Sequence, residues 1–101
     1  MLTRCVFISN EGDVRDISVD IDANEHGNML GGSITFIGQV DHPTYGPIVF
    51  MTRRDPLHAE NPHKLPPPLH NEKVFGPIIC MRMDGYIDQD FTSSEYLALF
   101  E

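Results

Sequence analysis

The chain is poor in positive charge. Only 7 of its 101 residues are lysine or arginine, against 15 aspartates and glutamates, so the formal net charge is −8. Binding to nucleic acid requires several cations that displace counterions from phosphate, and anionic membranes attract basic segments. The sequence therefore predicts neither a nucleic-acid partner nor a membrane partner. A cationic protein partner suits this charge, although a solvated acidic surface explains it equally well.

Tryptophan and long apolar runs are also absent, and there are only two cysteines. No stretch approaches the roughly 20 apolar residues of a membrane span, and the N-terminus lacks an apolar run of signal-peptide length. Cys5 and Cys80 each lie inside an apolar run, where cysteine usually behaves as a small buried hydrophobe. We predict two free thiols and a reducing compartment, the cytoplasm or alternatively the nucleus.

Catalytic signatures are missing as well. The chain has no Gly-rich phosphate loop, no GxSxG and no HExxH, and neither cysteine has a histidine close by in sequence. We expect no cofactor. The sequence thus favours a protein that is not an enzyme.

The residues that are present describe one globular domain spanning 1–101. Hydrophobic residues make up 41% and charged residues 22%, which is typical of a folded domain. The patterns predict an α+β fold, a mainly antiparallel sheet of about five strands with two short helices in the order β-β-α-β-β-β-α. The predicted strands are 2–9, 14–21, 33–40, 47–53 and 74–83, and the predicted helices are 22–30 and a terminal helix that begins near Thr92.

The details of the strands are also predicted. Residues 14–21 alternate, with Ile17, Val19 and Ile21 on one face, as in a half-buried strand. The third strand places Ile34, Phe36 and Val40 together on one face. Residues 47–53 are apolar on both faces, which predicts a place inside the sheet. Residues 46–51 and 76–81 match at Gly, Pro, Ile and Met and are interpreted as two similar core strands.

Both helices carry candidate caps. Asp22 and Glu25 have the spacing of a capping box, and Met29 and Leu30 would anchor that helix in the core. Thr92 and Glu95 have the same spacing. The buried face of the terminal helix is predicted to consist of Tyr96, Leu97 and Phe100.

A long loop at 54–73 holds five prolines and three histidines without periodicity. Loops of this length are often functional, and prolines lower the entropy cost of ordering them. We therefore predict that residues 55–73 form the functional loop. Imidazole and carboxylate are good zinc ligands, so His58, His63 and His70 are candidate metal ligands. The alternative is that these histidines are solvated loop residues.

The most distinctive surface motif is Leu65-Pro66-Pro67-Pro68-Leu69. A preformed polyproline II segment docks into an aromatic groove at low entropic cost, so these five residues are candidate partner-binding residues. The alternative is a stiff strap across the domain's own surface, with Leu65 and Leu69 turned inward.

Several segments together resemble a group of natural proteins. The segments 30–39 (LGGSITFIGQ), 65–68 (LPPP), 76–78 (GPI), 82–84 (RMD) and 90–92 (DFT) resemble short uncharacterised proteins of algae and of the large DNA viruses that infect them. This resemblance spans about residues 14–100. It implies an accessory protein of an alga or its virus and assigns no activity and no functional residue.

Three functional hypotheses follow. The leading one is a non-enzymatic protein-interaction or oligomeric accessory module, which the missing catalytic signatures and the Pro-rich loop favour. The second is a small enzyme or metal-binding protein that uses the loop histidines. The third is an acidic protein that mimics the charge of nucleic acid and so blocks a nucleic-acid-binding partner.

Overall fold

The computed structural model describes residues 2–54, 59–84 and 87–100. These residues form one antiparallel sheet and two short α-helices, which confirms the predicted α+β fold. The strands are β1 (Leu2–Ile8), β2 (Val14–Asp20), β3 (Ile34–His42), β4 (Gly46–Arg53), β5 (Ile78–Asp84) and β6 (Ile87–Gln89). The helices are α1 (Glu25–Met29) and α2 (Ser93–Ala98). The predicted order holds, with the three-residue β6 added before α2. Neither of these helices is long and apolar enough to cross a membrane.

The strand order across the sheet is β2-β1-β5-β4-β3, and β6 also pairs with β5. β4 lies between β5 and β3, as its two apolar faces predicted. Its buried Ile48 and Phe50 point to one side of the sheet and Met51 to the other. The similar segments 46–51 and 76–81 lead into adjacent antiparallel strands, in which Thr52 lies opposite Ile78. The two Gly-Pro-Ile strands therefore form the interior of the sheet.

Both faces of the sheet are apolar, and different segments cover them. The first face includes Ile8, Phe50 and Cys80, and it is covered by α2 and by residues 59–77, which we call the strap. The second face includes Cys5 and Ile79, and Leu30 packs against it. Placing buried side chains on both faces is the physical reason that residues 48–51 of β4 and residues 78–81 of β5 are all apolar.

Polar contacts fix the strap to the rest of the domain. Asn61 is buried, and its Nδ2 donates to the carbonyl oxygens of Ser9 and Gly76, both at 2.8 Å. The Tyr96 hydroxyl donates to the carbonyl oxygen of Lys64 at 3.0 Å. Because buried backbone carbonyls need donors, these bonds place the strap at a defined position on the first face.

The first helix is shorter than predicted and is not capped by Asp22. α1 is preceded by Asn24 in the left-handed region at φ 57°, without a side-chain cap. The Glu25 carboxylate instead accepts from the backbone N–H of Asp20 at 2.6 Å. Leu30 is buried as predicted, whereas Met29 is exposed, because so short a helix turns only one side toward the sheet.

The predicted common face of the third strand is wrong for Val40, whereas Phe36 lies opposite Met51 on the same face as Ile34. A β-bulge between Phe36 and Gly38 inserts Ile37 as an extra residue opposite β4. Since a one-residue shift exchanges the two faces of a strand, Ile37 and Val40 pack on the first face and Ile34 on the second. Phe36 is left 60% exposed.

Candidate functional site

The Leu65–Leu69 motif is mostly part of the core. Leu65, Pro66 and Leu69 are buried, whereas Pro67 and Pro68 are exposed. Pro68 has φ −87° and ψ 7° and leads into a 3₁₀ turn over Leu69–Asn71, so polyproline II geometry does not extend through it. The placement favours the alternative of a strap with Leu65 and Leu69 turned inward. Only Pro67 and Pro68 remain accessible for the predicted partner contact.

The loop histidines are not gathered into a cluster in the part of the chain that the structure describes. His63 Nε2 lies 2.6 Å from the carbonyl oxygen of Glu72, and His70 is exposed. His58 lies outside the described residues, so the prediction that it binds metal stays a prediction. Within 2–54, 59–84 and 87–100, no three His, Cys, Asp or Glu side chains are arranged to hold a metal ion.

Both cysteines are free and fully buried, as predicted. They lie on opposite faces of the sheet, Cys5 on the second face and Cys80 on the first. Burial raises the pKa of the Cys5 thiol from 9.0 to about 12. Burial, and secondarily the nearby Cys5, raises the pKa of Cys80 well above 9.0. Because a nucleophilic cysteine needs an accessible thiolate, neither thiol suits catalysis.

An apolar concavity lies beside the terminal helix. It has a volume of about 520 Å³, within the range of sites that hold ligands or partner side chains. Three separate segments line it: the turn between β1 and β2, the strap at Pro62 and Lys64, and α2 with the following turn. We call this concavity the α2 groove.

Large apolar side chains around the α2 groove face solvent. Leu97 is 64% exposed, Phe100 45% and Val14 39%, and all three line the groove. Tyr96 also lines the groove and is itself buried, with the Phe100 ring edge-on to it at 5.3 Å between centroids. Single exposed apolar residues are ordinary, whereas several around one concavity mark an interaction surface.

Polar contacts hold α2 in place beneath these side chains. Thr92 and Glu95 form the predicted capping box, with the Glu95 carboxylate accepting from Thr92 N–H at 3.0 Å. The Asp16 carboxylate accepts from the backbone N–H and the hydroxyl of Ser93 at 2.6 and 2.8 Å. Arg82 pairs with Glu95 at 3.6 Å. The groove wall is thus attached both to β2 and to β5.

The predicted buried face of α2 is wrong for two of its three residues. Tyr96 is buried, but the other inward-facing residue is Leu99, not Leu97 or Phe100. A signal for this was present in the sequence. Residues 96–100 (YLALF) are apolar without interruption, and a helix buries only a stripe of its surface, so some of them must face outward.

Comparison with known proteins adds a family and no activity. No curated protein and no solved structure matches the chain. The model of a family of unknown function, DUF5880, matches residues 6–99. That match runs from within β1 to the end of α2 and includes the strap as well as the α2 groove. The chain therefore belongs to the DUF5880 family, whose function is unknown.

Proposed function

We propose that this protein is a non-enzymatic interaction module that binds an apolar segment of a partner protein in the α2 groove. The partner segment carries lysine or arginine beside its apolar side chains. The resemblance to short proteins of algae and of their large DNA viruses supports an accessory role in such an organism. Two buried free thiols support a reducing compartment such as the cytoplasm.

One observation carries the proposal: the exposed Val14, Leu97 and Phe100 surround a single groove although they come from two distant parts of the chain. Exposed apolar surface costs free energy in water, and covering it recovers about 25 cal/mol per Å². A partner that covers Leu97 and Phe100 recovers on the order of 1 kcal/mol from each. Clustered aromatic and aliphatic anchors are also typical of the residues that dominate interface energy.

Charge selects the kind of occupant. Residues 84–101 carry five acids and no lysine or arginine, and the whole chain has a net charge of −8. A second copy of this chain would also carry a net charge of −8 and be repelled, whereas a basic segment is attracted. Charge complementarity mainly raises the association rate and the specificity of binding. We therefore favour a basic partner over a homodimer.

The test is selection from a random peptide library on the immobilised protein, followed by binding measurements with the enriched peptides. We expect enriched peptides that combine an apolar stretch with lysine or arginine. Leu97→Ser and Phe100→Ser should each weaken binding about tenfold or more, since each removes an anchor. Leu2→Ser and Phe36→Ser are the matched controls, because these residues are 63% and 60% exposed but do not line the groove.

Two results contradict the proposal. Peptides that bind equally to the groove variants and to the control variants would place the interaction elsewhere. Sedimentation equilibrium gives the second: a dimer of the unmodified protein that Leu97→Ser dissociates would make a second copy the occupant. We expect a monomer.

A further inference from the structure

A second concavity, on the opposite face of the sheet from the α2 groove, collects positive charge. It has a volume of about 390 Å³, and both Arg15 and Arg53 line it. These are two of only seven lysines and arginines in a chain of net charge −8. We call it the arginine cleft. A ligand role for this cleft does not depend on the function proposed above.

The strand register places the two arginines at opposite sides of the cleft. Arg15 on β2 lies opposite Phe7 on β1, and Phe7 lies opposite Ile79 on β5. Arg53 lies on the next strand, β4. Three strand spacings amount to about 14 Å across the sheet. Phe7 and Pro77 line the cleft between the two arginines.

One nitrogen of Arg53 lacks a hydrogen-bond acceptor in the described part of the chain. Its Nε is buried and makes no hydrogen bond there. A buried polar nitrogen is normally satisfied, and a charged one left without a partner costs more than a neutral one. Guanidinium groups bind carboxylate and phosphate through paired hydrogen bonds. An oxyanion in the cleft supplies the acceptor that Arg53 Nε lacks.

The backbone at Gly31 makes room for this arginine. A Cβ at Gly31 would lie 2.5 Å from Nη1 of Arg53, and its φ is +93°. The guanidinium thus lies against backbone where any other residue would place a side chain. On the far side, the Arg15 guanidinium lies over the Phe7 ring at 5.4 Å from its centroid, so packing orients both cations.

From this arrangement we infer that the arginine cleft binds a small anion with a phosphate or carboxylate group at each end. Each guanidinium takes one anionic end, and the body of the ligand lies over Phe7 and Pro77. Glu11 also lines the cleft and opposes an anion. The charged residues that line the cleft are two arginines and this one glutamate, so their net charge is positive.

Calorimetric titration and NMR of the arginine Nε–H signals test the inference, with glutarate and pyrophosphate as probes and the uncharged diamide glutaramide as control. We expect saturable binding of at least one of these two anions, a shift of the Arg53 Nε–H signal, and no binding of glutaramide. Binding of glutarate alone identifies a carboxylate site, and binding of pyrophosphate alone a phosphate site. Either result supports the inference, and binding of neither overturns it.

Four variants sharpen the test. Arg53→Met should weaken binding about tenfold or more, whereas Arg54→Met, an equal change of charge at the exposed neighbour that does not line the cleft, should leave it unchanged. Equal weakening by both variants would reduce the effect to net charge and overturn the inference. Glu11→Gln, on an exposed side chain, should strengthen binding severalfold, and unchanged or weaker binding in that variant also contradicts the site. Leu97→Ser should not alter anion binding, which separates this site from the α2 groove.

Discussion

The strap and α2 cover the same face of the sheet, yet they place their leucines differently. The strap buries Leu65 and Leu69 and presents Pro67 and Pro68 to solvent. α2 buries Tyr96, but Leu97 on the helix is 64% exposed. In the strap both leucines stabilise the fold, although Phe75 is 39% exposed. Around α2, part of the apolar surface is left over once the core is filled.

This difference separates stability from binding. A segment without regular secondary structure must offset the cost of ordering its backbone, roughly 1–2 kcal/mol per residue. The strap offsets that cost with buried leucines and with hydrogen bonds such as those of Asn61. α2 satisfies its own backbone through its helical bonds and its capping box. It can therefore leave Leu97 unburied without losing its structure.

The largest effect expected from the comparison is on the free energy of unfolding. Leu65→Ala should lower it by about 3 kcal/mol, because the buried side chain leaves a cavity. Leu97→Ala should change it by less than about 0.5 kcal/mol, as is usual for a surface position. Urea denaturation monitored by circular dichroism measures both. Similar losses in the two variants would mean that the strap and α2 do not differ as described.

The loss of stability at high pH compares the two faces of the sheet, because each face holds one buried thiol. The pKa of Cys5 is raised from 9.0 to about 12 and that of Cys80 well above 9.0, both chiefly by burial. The unfolded chain therefore releases these protons first as the pH rises. The corresponding stability is fully present below pH 9 and is lost progressively toward pH 12, by about 1.4 kcal/mol per pH unit for each thiol.

Urea denaturation at a series of pH values between 9 and 10 measures this loss. The range stays below the region in which Tyr96, whose pKa is also raised by burial, adds to it. Cys5→Ala should remove about half of the slope, because Cys80 on the other face still titrates. A slope that does not change in Cys5→Ala would show that the second face does not exclude water from its thiol.

Local signals in the sequence were sufficient for much of the fold. The alternation of Ile17 and Val19, the apolar character of 47–53 on both faces and the Thr92–Glu95 spacing depend on neighbours close in the chain. Each of these predictions is confirmed. The two free thiols were also predictable, since both lie in apolar runs.

The predictions that failed depend on contacts between distant segments. The bulge at Ile37 places Val40 on the opposite face from Ile34 and Phe36, and Gly38 is the one residue in that run that is typical of a bulge. Which residues of α2 face inward is decided by where the strap and β2 lie, through Lys64 and Asp16. The arginine cleft was not predicted, because only the strand order brings Arg15 and Arg53 to the same cleft.

The smallest effect concerns the attachment of α2 to the sheet. Asp16 accepts from the N–H and the hydroxyl of Ser93 at 2.6 and 2.8 Å, at the helix end where a negative charge is favourable. Asp16→Ala should lower the free energy of unfolding by about 1 kcal/mol, in the range of a lost helix cap. Asp13→Ala is the matched control, an exposed acid in the preceding turn. Since the groove wall depends on this attachment, peptide binding should weaken in Asp16→Ala and not in Asp13→Ala. Equal behaviour of the two variants, in urea denaturation and in peptide binding, would show that α2 holds its position without β2.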